Sequence, residues 1–282
     1  MEHPSPREPT GAVAAPSSSS TSALVVDPAA VAVFDATGLD HLATFFDING
    51  FAVVRGLWSD DELDAAQADL IELQQRLVAG ELPPECGTAI LDDPDALVEG
   101  EPFAHYVCHA TEVSPSAHGL VTHPVLVAVM HRLLGPTAWL LDYERFGVVY
   151  QDARPGRASG YSRIGWHSDF QSGPHLAIWP SVAFTIHLDA TSPANGFLRA
   201  VPGSHHRPAD LPDGFEKVPG EIAVYCERGD VLLHHADLWH AAARATEDPP
   251  GGVRRHLRGS WYAGERLARG HGLDDFVKNA AR

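Results

Sequence analysis

The sequence is short of cysteine and of basic residues, and each shortage excludes a class of protein. Its three cysteines, Cys86, Cys108 and Cys226, are widely spaced and form no C-x-x-C pair. Neither a disulfide framework nor a cysteine zinc site is therefore expected. Only 20 lysines and arginines stand against 37 acidic residues, giving a formal net charge of −17. Because nucleic-acid binding depends on basic side chains that neutralise phosphates, a nucleic-acid partner is not expected.

Long apolar runs are also lacking. No run approaches the roughly 20 residues that cross a bilayer, and the N-terminus has neither the basic nor the apolar region of a signal peptide. We therefore expect a cytoplasmic protein with no membrane partner. Residues 1–30 are rich in Pro, Ser and Ala and cannot bury enough apolar surface to offset the entropy lost on ordering. They are predicted to form a disordered leader, and residues 31–282 a single domain.

Helical patterns occupy the first half of the chain. Apolar residues at helical spacing predict one helix over 36–47, which the Asn49-Gly50 turn signal ends. Ser59 and Glu62 form a capping-box pattern that starts a second helix, and Gly80 ends it. A third helix is predicted over 123–134, with Thr122 as its N-cap. Residues 81–120 show no sustained period and are predicted to be irregular, as a lid or substrate loop would be.

After residue 135 the pattern changes to short strands separated by Gly, Pro, Asp and Asn turns. An earlier strand is predicted at 51–55. Many short strands of this kind predict a mainly β protein with flanking helices, built on a double-stranded β-helix, the cupin-like jelly roll. The predicted strands cover residues 139–141, 146–151, 182–189, 197–201, 221–226, 231–235 and 254–262.

The triplet His167-Ser168-Asp169 is the leading candidate for a metal site. Side chains alternate along an extended segment, so His167 and Asp169 point to the same face. An imidazole and a carboxylate are two of the three ligands of the 2-His-1-carboxylate triad that binds non-haem Fe(II). His240 is the proposed third ligand, although His234 and His235 compete with it. Taken singly, each of these histidines also fits an ordinary hydrogen-bonding role.

Four motifs in order along the chain carry a resemblance to a known family. They are N-G-F-A-V-V-R-G at 49–56, W-H-S-D-F at 166–170, N-G-F-L-R-A-V-P-G-S-H at 195–205 and the segment 229–240. Together they resemble the phytanoyl-CoA dioxygenase family of Fe(II)/2-oxoglutarate oxygenases over roughly residues 40–265, and W-H-S-D-F is especially similar to its ectoine hydroxylase branch. The resemblance implies Fe(II), 2-oxoglutarate and O2 as reactants and His167, Asp169 and His240 as the iron ligands.

A second signal is an arginine that would hold the distal carboxylate of 2-oxoglutarate. The planar guanidinium binds a carboxylate through two hydrogen bonds, and members of the family place such an arginine on the strand after the distal histidine. Arg254, Arg255 and Arg258 compete for this role, and Arg254 is chosen because it lies at the start of the strand, in the position that aligns with the arginine of the family. Thr185 and Gln151 are weaker candidates for hydrogen bonds to cofactor or substrate.

These residues predict an Fe(II)- and 2-oxoglutarate-dependent oxygenase that hydroxylates an unactivated C–H bond of a small organic substrate, in biosynthesis or tailoring. The intact carboxylate of Asp169 favours hydroxylation over halogenation, since related halogenases carry a small residue there. Residues 171–180 depart from the continuation associated with ectoine hydroxylases, so ectoine itself is not expected as the substrate. The alternatives are a non-catalytic binding or sensing module on the same fold and a cupin-type metalloenzyme that does not use 2-oxoglutarate.

Overall fold

The computed structural model describes residues 28–87, 97–98, 101–154, 164–169, 180–207, 214–248 and 250–268. Most of the predicted leader, residues 1–27, lies outside the described residues, as does the segment 170–179 that follows the H-x-D triplet. A short 3-10 helix, Pro28–Val31, opens the described chain.

Five α-helices precede the main strands, and their starts follow local capping chemistry. The capping box is present: the Glu62 backbone N–H donates to the Ser59 hydroxyl, and the Glu62 carboxylate accepts from the Ser59 N–H at 2.8 Å. Gly50, with φ of 79°, ends the first helix in a left-handed conformation. The helices are α1 Leu39–Asn49, α2 Asp60–Val78, α3 Ala110–Val113, α4 Pro115–Val121 and α5 Pro124–Leu134.

Two predictions for this half of the chain were wrong. The region 81–120, predicted to be irregular, contains α3 and α4, which are only one to two turns long and show too few repeats for a helical period to be recognised. Ser114 caps α4 by accepting from the Ala117 N–H at 2.9 Å. The N-cap of α5 is His123 rather than Thr122, because the His123 ring accepts from the Val125 N–H and Pro124 occupies the first helical position.

Thirteen strands are present in the described residues, and eleven of them form two facing sheets. The large sheet has the order β1-β2-β11-β8-β13-β7-β5, with β6 also paired to β13, and the small sheet has the order β10-β9-β12. β3 and β4 form a separate hairpin. The strands are β1 Val33–Phe34, β2 Phe51–Val54, β3 Leu97–Val98, β4 Glu101–Pro102, β5 Tyr106–Val107, β6 Trp139–Leu140, β7 Val148–Ala153, β8 Ser181–His187, β9 Leu198–Ala200, β10 Ile222–Val224, β11 Val231–His235, β12 His240–Ala242 and β13 Arg254–Tyr262.

From β7 onward the chain crosses repeatedly between the two sheets. β7, β8, β11 and β13 lie in the large sheet, whereas β9, β10 and β12 lie in the small one. The segment around His167 joins the small sheet through an antiparallel bridge to His240. This winding is that of the double-stranded β-helix, so the predicted jelly-roll fold is confirmed.

The two faces of the large sheet have different neighbours, as the period of two along a strand requires. On β8, Phe184 and Ile186 belong to a core that packs against the helices, whereas Thr185 and His187 line a cavity between the sheets. The same alternation holds along β11 and β13. The larger apolar core therefore lies between the helices and the large sheet, and polar side chains line much of the cavity between the sheets. A second apolar cluster, which includes Phe51, Val53 and Val224, joins strands of the two sheets. None of the helices in the described ranges is long and apolar enough to cross a membrane.

Candidate active site

The structure brings the three candidate iron ligands together. The His167 N–H donates to the His240 carbonyl at 3.0 Å, and the His240 N–H donates to the His167 carbonyl at 2.9 Å. This reciprocal pair of bonds sets the two histidines side by side, with their ring centroids 4.2 Å apart. Buried Trp166 anchors the segment from the other side, since its indole N–H donates to the Glu216 carbonyl at 2.8 Å. His167 and His240, which are 73 positions apart in the sequence, thus share one site.

Backbone carbonyls fix the tautomer of both histidines. Nδ1 of His167 lies 2.8 Å from the Gly165 carbonyl, and Nδ1 of His240 lies 2.9 Å from the Leu238 carbonyl. A carbonyl oxygen only accepts, so each Nδ1 carries the proton and each Nε2 presents a lone pair. This is the arrangement that positions an imidazole to bind a metal through Nε2.

The ligand atoms converge at distances that fit a divalent cation. Nε2 of His240 lies 3.3 Å and Nε2 of His167 lies 3.7 Å from Oδ1 of Asp169, and one ligand atom from each residue lies within 4.8 Å of the others. In an octahedral site with bonds of roughly 2.1 Å, adjacent ligand atoms lie roughly 3 Å apart. Two imidazoles and one carboxylate on one side of the ion match the set that non-haem Fe(II) uses.

His234 and His235 occupy different positions relative to the candidate ligands. Its Nε2 lies 2.7 Å from Oδ2 of Asp169, so the two carboxylate oxygens have different partners: Oδ1 faces the two candidate ligands and Oδ2 faces His234. The next residue, His235, points away from the cavity and packs on His205, with ring centroids 5.1 Å apart. We therefore place His234 behind the carboxylate and His235 outside the site.

The electrostatics of this cluster favour a metal-ready state. Burial opposes the charge of Asp169, but the charges and hydrogen bonds of His234 and His240 outweigh it and hold the pKa of the carboxyl well below its ordinary value. Burial, followed by the proximity of His240, lowers the pKa of His167. A charged carboxylate beside a neutral His167 imidazole is the protonation state that a metal requires.

The cavity that contains these residues has a volume of about 710 Å³ and extends along β13. Arg254, His256 and Arg258 line it on alternate positions of the strand. Arg255 does not, because its guanidinium forms two hydrogen bonds, of 2.7 and 2.6 Å, with Asp189. Of the three competing arginines, Arg255 is thus engaged elsewhere, whereas Arg254 and Arg258 remain inside the barrel.

Arg254 and Arg258 have different surroundings. The guanidinium of Arg258 stands over the Tyr106 ring, 5.7 Å from its centroid. Burial, and then the charge of Arg254, lowers the pKa of two buried histidines, His187 and His256. Arg254 starts β13, whereas Ser260 near the other end of that strand pairs with Ala183 beside His234, so Arg254 lies at the end of the cavity distant from the candidate metal ligands.

The weaker candidates also line the cavity, together with two residues that sequence analysis missed. Thr185 lies opposite Arg258 in the register of β8 and β13. Gln151 on β7 hydrogen-bonds His256 at 3.1 Å. His187 and His256 were not singled out, although each lies two residues from a candidate on the same strand face, His187 from Thr185 and His256 from Arg254. Because side chains two residues apart on a strand share a face, this spacing could have identified both histidines as cavity-lining residues.

The sequence also matches a known family and an individual relative. The family model described as phytanoyl-CoA dioxygenase (PhyH) matches residues 46–249. An uncharacterized protein of Mycobacterium tuberculosis is 25% identical over 219 residues, which cover 77% of this chain and 73% of that protein.

Solved structures share the fold. EctD from S. alaskensis with bound Fe matches with a TM-score of 0.62 and 20% identity, over 83% of this chain and 80% of EctD. The non-heme alpha-ketoglutarate-dependent epimerase SnoN from nogalamycin biosynthesis matches with a TM-score of 0.60 and 19% identity, over 85% and 89% of the two chains. The chain spans half the length of EvdMO1, another similar structure, with a TM-score of 0.59 and 21% identity over 80% of this chain. The family match covers well over half of the sequence, and the chain belongs to the phytanoyl-CoA dioxygenase (PhyH) family.

Proposed function

We propose that this protein is an Fe(II)- and 2-oxoglutarate-dependent oxygenase that hydroxylates an unactivated C–H bond of a small organic substrate, with O2 as co-substrate. The observation that carries the proposal is the convergence of His167, Asp169 and His240, each histidine with its Nε2 lone pair directed by a backbone carbonyl. Those three residues would hold the iron on one face and leave its other positions open.

The length of the cavity supports a diacid as the second reactant. His234, Ala183 and Ser260 lie side by side on β11, β8 and β13, at the level of Asp169. His256 lies four residues away along β13, which corresponds to about 13 Å at the rise of a strand. The side chains and the metal shorten this backbone separation from both ends, so a molecule that contacts both is shorter than the separation, elongated, and polar at each end. 2-Oxoglutarate meets that requirement, with its keto end at the metal and its distal carboxylate at Arg254.

The residues of the chain would bind and orient, and the cofactors would supply the chemistry. When bound, iron and 2-oxoglutarate couple oxidative decarboxylation of the keto acid to the oxidation of a C–H bond by dioxygen. Arg254 would hold the distal carboxylate through its planar fork, with Thr185 and Gln151 on the walls beside it.

The aspartate at position 169 bears on whether the substrate is hydroxylated or halogenated. An aspartate there would bind the metal at the position where related halogenases, which carry a small residue, admit a halide, and this supports hydroxylation over halogenation. A cavity of about 710 Å³ lies within the range of small-molecule sites and is lined at its mouth by Phe146 and Ile164, which are 43% and 49% exposed. The substrate is accordingly proposed to be a small organic molecule.

Anaerobic addition of Fe(II) and 2-oxoglutarate tests the proposal. A weak visible charge-transfer band, followed by succinate release when O2 and a substrate from a small-molecule panel are added, is the expected result. The Asp169→Ala protein should show neither. A wild-type protein that binds Fe(II) but gives no band would overturn the proposal. It would leave a cupin-type metalloenzyme that does not use 2-oxoglutarate, whereas a protein that binds neither would be a non-catalytic module.

A further inference from the structure

Two buried histidines at the deep end of the cavity have no role in the site described so far. His187 and His256 are only 5% and 6% exposed, and they face each other as register partners on β8 and β13. Their ring centroids lie 6.1 Å apart. Gln151 on β7 is the register partner of His256 on the other side of β13. His187, His256 and Gln151 therefore form one polar row across three strands, beside Arg254.

The hydrogen bonds of this row are incomplete. Oε1 of Gln151 only accepts, so Nε2 of His256 carries the proton and donates to it at 3.1 Å. Nδ1 of His256 and both ring nitrogens of His187 have no hydrogen-bond partner among the described residues. Buried polar atoms are nearly always hydrogen-bonded, and an exception inside a cavity needs an explanation, such as a ligand, an ion or a water molecule that it binds.

The charge of the row identifies the kind of ligand. Burial, and then the charge of Arg254, lowers the pKa of His187 to about 3, and the same causes hold the pKa of His256 well below its ordinary value. Both rings are therefore neutral at physiological pH, and a neutral imidazole has one N–H to donate. Glu144 and Asp169 are the acidic residues that line the described cavity, and Asp189, whose charge opposes that of Arg254 at His187, is held by two hydrogen bonds from Arg255. The group that fits beside a guanidinium and an imidazole N–H is an anion.

We propose that His187 donates a hydrogen bond to the distal carboxylate of 2-oxoglutarate alongside Arg254, and so selects keto acids that carry a second carboxylate. The inference rests on the proposed function and assigns a binding residue to it. His187 is chosen over its neighbour because the only proton of His256 is engaged by Gln151. His256 is accordingly a positioning residue, and Gln151 acts through it rather than on the co-substrate.

Paired ligands test the assignment. 2-Oxoglutarate and 2-oxopentanoate share one carbon chain and differ in the distal carboxylate, and both are titrated anaerobically into the Fe(II)-loaded protein by calorimetry and by the charge-transfer band. His187→Leu should weaken 2-oxoglutarate binding by roughly tenfold to a hundredfold, the range for a hydrogen bond to a charged group. Binding of 2-oxopentanoate should change less than twofold. His187→Gln, which keeps an N–H donor, should recover most of the affinity.

The controls separate this inference from the proposed function. His118→Leu, at an exposed position of α4, should bind both keto acids as the wild type does. The thermal melt of each variant without metal reports folding; removal of two unsatisfied nitrogens should leave His187→Leu at least as stable as the wild type. An equal loss for both ligands, or no loss for either, would overturn the role of His187. If instead the wild-type protein gives no 2-oxoglutarate band, the proposed function itself fails.

Discussion

The hydrogen bond behind Asp169 offers a sharp test of the candidate metal centre. Nε2 of His234 lies 2.7 Å from Oδ2 of Asp169, while Oδ1 faces the two candidate ligands. His234→Leu removes the donor, so the carboxylate loses the contact that fixes its orientation. Hydrogen bonds to charged groups contribute about 1.5–3 kcal/mol, and residues behind a metal ligand typically change metal affinity 10- to 100-fold.

The exposure of the carboxylate decides where in that range the effect falls. The Asp169 side chain is 34% exposed, so water can replace part of the lost hydrogen bond. We therefore expect the lower end, about 1.5 kcal/mol, which corresponds to roughly a tenfold weaker metal affinity. Anaerobic calorimetric titration with Fe(II), and with Mn(II) as a second metal, measures it directly.

The neighbouring histidine provides the matched control. His235 is adjacent in sequence but packs on His205 outside the cavity, so His235→Leu should leave metal affinity within twofold of the wild type. His234→Gln, which retains a donor, should fall between the wild type and His234→Leu. The reasoning would be refuted if His234→Leu bound metal as tightly as the wild type, or if the two leucine variants lost affinity equally.

Three further predictions test the remainder of the site and the fold. Arg254→Ala should raise the KM for 2-oxoglutarate by about tenfold or more, whereas Arg255→Ala should leave this KM unchanged. Arg255→Ala should instead lower the melting temperature, because it removes the two hydrogen bonds to Asp189, which contribute about 1.5–3 kcal/mol. Arg55→Ala should lower the free energy of unfolding, measured in urea, by roughly 2–3 kcal/mol, because the fully buried Asp230 loses its bidentate partner. The loss is smaller than for a fully buried pair because the Arg55 side chain is 41% exposed. The free energy of unfolding should fall as pH drops from about 6.5 towards 3, because His187 is protonated near pH 6.5 in the unfolded chain but only at about 3 in the folded protein. Urea unfolding measured over this pH range should show that the free energy of unfolding of His187→Leu depends less steeply on pH than that of the wild type.

Local rules predicted one part of the site, and long-range pairing determined the rest. The period of two placed His167 and Asp169 on one face, and both do face the same centre. His240 was selected with the help of family resemblance, because no spacing rule indicates which distant segment bridges to His167. His187 and Gln151 flank His256 only because β8 and β7 both pair with β13, a fact of sheet order that no local pattern contains.

The choice between Arg254 and Arg255 depends on the alternation of side chains along β13 and on one ion pair outside the barrel. Adjacent arginines at the start of a strand point to opposite faces, so only one can enter the barrel, and the sequence of β13 does not indicate which. Asp189 supplies the answer, because it holds the Arg255 guanidinium with two hydrogen bonds and also accepts from the Arg255 backbone N–H at 2.8 Å. A one-residue slip of β13 would break those bonds and would also move His256 out of the cavity. The acid outside the barrel therefore stabilises the register that keeps Arg254 inside it.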